Sequence, residues 1–318
     1  MKKILEKVFK HQSLADRPPV LVDIGASTGL PPQWRNIAGY SICIAFDPDR
    51  RQMEYIAEER GFKKMYIFPA IVHENIDGAT DFYLTASPEC SSALPPQDDA
   101  LNEYLFSPLF KLKERVTLPS ITLTAALEKL GIDYIDWFKT DSQGTDLRIF
   151  KSIPQNIRDR IITAEFEPGI IDAYKGEDKL SMLMAFMEKE SFWCSRFDLR
   201  ECLRITPDIA GKYFSGWQRK LLNTALSLSP GWAEIAFMNK FSNTKMGIRE
   251  YLLGWWFATE MKQYGEALKI AETGLMLYND EIFRELISFS VKTVKHKCIF
   301  NIRIPLKFLR RLCRFNAG

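Results

Sequence analysis

The feature that most restricts this chain is an apolar run closing in a glycine turn, Val20-Leu-Val-Asp23-Ile-Gly-Ala-Ser-Thr-Gly29. A short apolar segment bounded by glycine reads as a buried strand. Gly25 and Gly29 let the backbone turn sharply and approach a ligand with no Cβ in the way. A second run, Ser41–Phe46, ends in Asp47-Pro48 and places an acid 22 residues beyond Gly25. An acid at that point can accept hydrogen bonds from both ribose hydroxyls of a nucleotide cofactor. The alternative is a tight turn with no ligand.

Strand and helix signals then alternate from Val20 to about Phe241, the pattern of an α/β sheet with crossover helices. Trp34–Ile37 offers a short helix, and Arg50–Arg60 a longer one closed by Gly61. Lys64–Phe68 is a third strand. Residues 73–119 are polar, rich in Ser and Pro, and hold an extra strand at Phe82-Tyr83-Leu84. Such a long insertion is more often functional than idle. Leu123–Leu130 is a helix ended by Gly131, Tyr134–Lys139 a strand, Leu147–Ser152 a helix and Arg160–Phe166 a strand. Lys179–Glu190 is helical, and Phe192–Leu199 with Ala233–Asn239 would close the sheet as an antiparallel pair. Residues 1–244 thus form one α/β domain of Rossmann-like type, opened by an amphipathic helix over Met1–Lys10. Over 245–290 the pattern is purely helical, with Tyr251–Thr259 and Tyr264–Leu277 like one tetratricopeptide-type pair. One pair cannot bury its own face; it is either an appendage packed on the body or a surface for a protein partner.

The net charge of +3 conceals an asymmetry. Residues 291–318 carry eight Lys and Arg and no acid, which leaves 35 basic against 40 acidic residues in the rest. The basicity therefore belongs to the tail, and the body is no nucleic-acid binder. Within 299–316, Leu306, Phe308, Leu309, Leu312, Cys313 and Phe315 fall on one half of a helix, opposite Lys307, Arg310, Arg311 and Arg314. That is the composition of a helix lying on a membrane surface, or of a terminal helix docked on its own domain. No stretch approaches the roughly 18 apolar residues of a membrane span. Six cysteines lack a C-x-x-C pair, and three histidines are scattered. Reduced thiols in a cytoplasmic protein without a metal site are expected.

The glycine spacing, D-x-G-x-x-x-G, differs from the dinucleotide pattern and does not direct a helix N-terminus at a pyrophosphate. It favours S-adenosylmethionine over a nicotinamide dinucleotide. Asp23, Gly25, Ala26, Ser27, Gly29 and Asp47 would hold that cofactor, and Ala70 and Ile71, after the third strand, would flank its adenine. A second constellation, Asp136-Trp-Phe-Lys139-Thr-Asp141-Ser-Gln143-Gly144, sits at the carboxyl end of the fourth core strand, where open α/β sheets bind ligands. Methyl transfer to an alcohol needs a group to take the hydroxyl proton. Asp141 is the leading base, with Glu165 and Glu167 as second choices. Lys139 would orient base or substrate. A structural ion pair is the alternative for each.

Taken in order, these segments resemble the FkbM-type methyltransferases. The resemblance runs from about Leu21 to Phe241 through Asp23–Gly29, Ala45-Phe-Asp-Pro48, Ser91-Ser-Ala-Leu94, Leu118–Leu123, Phe138–Gly144, Phe150-Lys151 and Ala164-Glu-Phe166. It implies S-adenosylmethionine as cofactor, a seven-stranded sheet with one antiparallel strand, and methyl transfer to a hydroxyl of a carbohydrate, glycolipid or secondary metabolite. It also implies that Ser91 and Ser92 lie near the substrate, and Gln143 is expected beside them near the acceptor. Three positions depart from the family: Ser27 stands for its usual Asn, Asp47 for Glu, and Gln143 for the Glu of D-x-E-G. A neutral amide cannot serve as a base or bind a metal as a carboxylate does. The rival expectation is a decayed methyltransferase that recruits a partner through its helical module.

Overall fold

The computed structural model describes residues 1–26, 31–49, 61–242 and 246–300, with side chains to 298. The expected helix at Arg50–Arg60, Ser27, Gly29, and the tail beyond residue 300 lie outside the described residues. The chain divides into two compact units, Pro18–Lys245 and Met1–Arg17 with Met246–Gly318.

Among the described residues, the first unit holds ten strands: β1 Val20–Ile24, β2 Ile42–Phe46, β3 Lys64–Phe68, β4 Ile71–Val72, β5 Gly78–Thr85, β6 Leu112–Ile121, β7 Trp137–Thr140, β8 Thr163–Phe166, β9 Phe192–Cys202 and β10 Ser229–Asn239. Seven of them form the main sheet in the order β3-β2-β1-β7-β8-β10-β9. The pairs β1–β2, β2–β3, β1–β7 and β7–β8 are parallel, whereas β10 runs against both β8 and β9. The order reverses between β1 and β7, so their carboxyl ends open a crevice. All five residues of β1 are buried, as expected for a central parallel strand covered on both faces. Asp136 fixes its start: Val20 N donates to Asp136 Oδ2 at 2.8 Å.

The core beside the sheet is built on aromatic rings. Phe150 meets Phe138, Phe166, Phe186 and Phe192 with centroids 5.1–6.3 Å apart. Such pairs contribute about 1 kcal/mol each beyond their burial. The helix Leu123–Leu130 is capped by the Thr122 hydroxyl and closed by Gly131 at φ +65°, in the left-handed conformation that glycine adopts without strain.

Expected strands at Tyr134–Lys139 and Arg160–Phe166 begin later, at Trp137 and Thr163. The leading residues instead dock the segments; the Tyr134 hydroxyl donates to Pro18 O at 2.7 Å. The extra strand at Phe82 is part of a separate three-stranded sheet, β4-β6-β5, whose long β5–β6 arm comes from the insertion. The β9–β10 connection holds two helices, Pro207–Tyr213 and Gly216–Ala225.

In the second unit, the helices Ile248–Glu260 and Tyr264–Tyr278 are joined by a third, Glu281–Phe300. Every residue from Arg249 to Thr259 is buried. Helices approach so closely at Gly274 that a Cβ there would lie 2.4 Å from the Phe283 ring. The amphipathic helix Lys2–Phe9 belongs here, and not with the sheet as the division at residue 244 implies. Its apolar face needs a partner, and Phe9 meets the Trp256 ring at 6.1 Å while Lys7 pairs with Glu285 at 2.6 Å. The two repeat-like helices are thus never left to bury their own faces. Among the described residues, no helix is long and apolar enough to cross a membrane.

Candidate functional site

A cleft opens where β1, β2 and β7 end. Gly25, Asp47, Ala70, Ile71, Ser91, Asp141 and Gln143 all line it. Residues from five separate stretches of sequence, each expected at the site, therefore meet in one place. Asp23, Ala26, Ser92, Lys139 and Glu165 are not among its lining residues.

Gly25 is required by the protein and not only by a ligand. At φ +78°, a Cβ there would lie 2.2 Å from the Asp141 carbonyl oxygen. The approach is held by Asp141 N donating to Ile24 O at 2.9 Å and Gly25 N to Phe46 O at 3.0 Å. The glycine thus locks the β1 turn against the β7 turn and sets where Asp141 sits.

Asp23 and Lys139 form a buried pair, with Nζ 2.6 Å from Oδ1. Burial lowers the Lys139 pKa, but the Asp23, Asp141 and Glu165 carboxylates outweigh it and hold the amine charged. Lys139 is accordingly no base. Glu165 is occupied elsewhere: the Trp137 indole donates to it at 2.6 Å, Arg196 at 2.7 Å and Gln33 at 3.2 Å. These donors engage both carboxylate oxygens, and Glu165 does not line the cleft.

The remaining carboxyls make the site electronegative. Asp47, Asp49, Glu89 and Asp141 line the cleft, with no Lys or Arg among its described lining residues. Burial pushes the Asp47 carboxyl up to about 6; a hydrogen bond from Asp49 N opposes this, and the charges of Asp49, Asp23 and Asp141 add to it. Asp141 is hydrogen-bonded to Glu167, and burial raises both pKa values; the Lys139 charge and the Gln143 hydrogen bond hold Asp141 down, while Asp141 and Asp146 drive Glu167 further up. Burial and mutual repulsion favour retention of one proton by the pair.

Gln143 is the hub of this arrangement. Its Nε2 donates to Asp141 Oδ1, its Oε1 accepts from the Tyr174 hydroxyl at 2.8 Å, and its carbonyl accepts from Ser92 Oγ at 2.7 Å. It does so from φ +56°, a backbone conformation costing a non-glycine residue on the order of 1 kcal/mol. Asp146, at the start of the helix Asp146–Ser152, accepts from Thr140 Oγ1, from the Ser142 hydroxyl and amide, and from Glu167 N. It ties the two segments that carry the carboxyl pair. Tyr174 and Asp146 had no motif to mark them, because each acts through the loop geometry and not on a ligand.

Among the described residues, no group of three or more His, Cys, Asp or Glu could hold a metal ion. No protein-family model matches the chain, and no curated protein matches it.

Proposed function

We propose that this chain is an S-adenosylmethionine-dependent O-methyltransferase acting on a hydroxyl of a carbohydrate, glycolipid or secondary metabolite. The observation that carries the reading is the charge of the cleft. Four carboxyls line it and no described lysine or arginine does, which suits a sulfonium cation and opposes a pyrophosphate. The lining residues support the reading: Asp47 at the end of β2 would accept from ribose hydroxyls, and Ala70 and Ile71 would offer the adenine an apolar wall. Asp23, paired with Lys139, would act on the cofactor only through the electrostatics of the turn. The reversed strand β10 in a seven-stranded sheet agrees with what the resemblance implies.

When bound, the cofactor supplies an electrophilic methyl whose carbon–sulfur bonding pair stays on sulfur. Asp141 accepts the proton of the acceptor hydroxyl as its oxygen bonds to that methyl. Glu167, protonated, steadies the carboxylate by hydrogen bonding. Gln143 aims it. Ser91 lines the cleft and would face the acceptor, while Ser92 holds the Gln143 carbonyl. The amide at 143 thus does work that a glutamate would not, which supports an active enzyme over a decayed one. Placement in the cytoplasm, peripheral to the inner membrane face, completes the proposal, with the 245–290 helices as a place for a protein partner.

Calorimetry against S-adenosylmethionine and NAD tests the cofactor, followed by turnover on a panel of glycans. Binding of S-adenosylmethionine that weakens in Asp47→Ala is expected; no binding, or unchanged affinity in that variant, would sink the reading.

A further inference from the structure

The connection between β9 and β10 has features that methyl transfer does not use. Its two helices, Pro207–Tyr213 and Gly216–Ala225, are anchored by a small core of Leu203, Ala210 and Leu222. Around that core the lobe turns apolar side chains outward. Tyr213 and Trp217 are 66% and 67% exposed, and Ile209, Leu221 and Leu226 are exposed beside them. A single exposed leucine means little, but two open aromatic rings within one small lobe mark an interaction site.

Charge accompanies the apolar surface. Residues 203–228 carry Arg204, Lys212, Arg219 and Lys220 against Asp208 alone, in a body that is otherwise acidic. In the helix Gly216–Ala225, Leu222 is the buried position. The opposite side, at 100° per residue, presents Trp217, Lys220, Leu221 and Thr224. Lys212 lies over the Tyr213 ring at 5.1 Å. Amphipathic aromatics interleaved with lysines are what an interfacial membrane contact uses, since rings enter the headgroup layer and ammonium groups meet anionic lipid.

We infer that the lobe formed by residues 204–226 docks on an anionic lipid surface. The other occupants fit less well. Lysine is depleted in protein–protein interfaces, yet two lysines flank the rings here. Nucleic acid would leave Ile209, Leu221 and Leu226 without a partner. The tail of this same chain is basic and would meet like charge. The lobe is tied to the insertion that lines the cleft, through Leu105 N to Leu203 O at 3.2 Å and Arg204 to Glu103 at 3.4 Å. A lipid-anchored acceptor would therefore be met by the wall of the cleft itself. The docking claim stands on the lobe alone and does not depend on methyl transfer.

The test is cosedimentation of the full chain with vesicles of phosphatidylcholine, or of phosphatidylcholine and phosphatidylglycerol in equal parts. Circular dichroism checks that each variant folds. Binding only to the anionic vesicles is expected, weakened roughly 25-fold in Lys212→Ala/Lys220→Ala and severalfold in Trp217→Ser. Arg310→Ala/Arg311→Ala in the tail serves as comparator. The inference is overturned if no vesicle binds, if neutral and anionic vesicles bind alike, or if the lobe variants bind as the parent does. Self-association that Trp217→Ser abolishes, without vesicle binding, would overturn it in favour of a second copy as occupant.

Discussion

The Gln143 amide donates to Oδ1 of Asp141 while its carbonyl oxygen accepts from the Tyr174 hydroxyl. A glutamate at 143 could keep the second contact but would turn the first into a repulsion between carboxylates. The amide stabilises the charged form of Asp141, so Gln143→Glu should raise the pKa of the pair. Because the base acts when deprotonated, the acidic limb of the pH–rate profile is expected to move to higher pH, with kcat at neutral pH falling about tenfold or more. An unchanged profile would show that Asp141 is not the base.

The carboxyl pair makes a second, sharper prediction. Burial and the Asp141 and Asp146 charges push the Glu167 pKa up, so Glu167→Gln replaces one neutral hydrogen-bonding group by another and should cost little. Asp141→Asn removes the proposed acceptor of the hydroxyl proton and should lower kcat about 10²- to 10⁴-fold, with S-adenosylmethionine affinity kept. Single-turnover rates with calorimetric affinities would separate the two; the reverse ranking would move the base to Glu167.

Asp47 carries an opposing pair of effects. Its folded pKa of about 6 lies above the model-peptide value of 3.8, so the native state holds the proton longer than the unfolded chain does. Stability is therefore lost as pH rises from about 4 through 6, by up to about 3 kcal/mol. Asp47→Asn should flatten that part of the stability–pH curve and stabilise the cofactor-free protein at pH 7.5, while weakening the cofactor. Chemical denaturation at several pH values, alongside calorimetry, reads both.

Much of this was legible in the sequence because the strands of a parallel sheet announce themselves. Val20–Ile24 and Ile42–Phe46 are continuous apolar runs that end in Gly25 and Asp47, and turn chemistry marked the helix end at Gly131. The site residues at those strand ends follow directly, since the crevice must open there. The contacts that arm them were not legible. Tyr174 reaches Gln143 from 31 residues away, and the withdrawal of Lys139 and Glu165 into ion pairs depends on partners across strands, Asp23 and Arg196. The helices at 207–225 are not legible in the sequence because their outward face is apolar, which blurs the amphipathic period. The N-terminal helix looked like the start of the sheet domain because sequence shows that a face is apolar but not what covers it.

Gly25 gives a prediction about folding. Gly25→Ala meets two obstacles, a positive φ and the Asp141 carbonyl only 2.2 Å from the new Cβ. Neither is a flexible side chain that can swing away, so β1 and β7 must part at their carboxyl ends. A loss of about 3 kcal/mol or more in denaturant unfolding is expected, together with loss of cofactor binding, because Asp141 and Gln143 move with the β7 turn.

Lys139 separates a structural from a catalytic role. Its ammonium neutralises Asp23, which is 4% exposed. Lys139→Met keeps the length of the side chain and removes the charge, taking the neighbouring cation from a buried carboxylate at a cost of about 3–5 kcal/mol. The second change Asp23→Asn should restore most of that stability, since the buried charge goes with it. Loss of Lys139 also removes the charge that holds the Asp141 pKa down, so the restored double variant should still need a higher pH for turnover. Melting curves would report the rescue and the pH–rate profile the remaining defect. Full recovery of both would confine Lys139 to the fold.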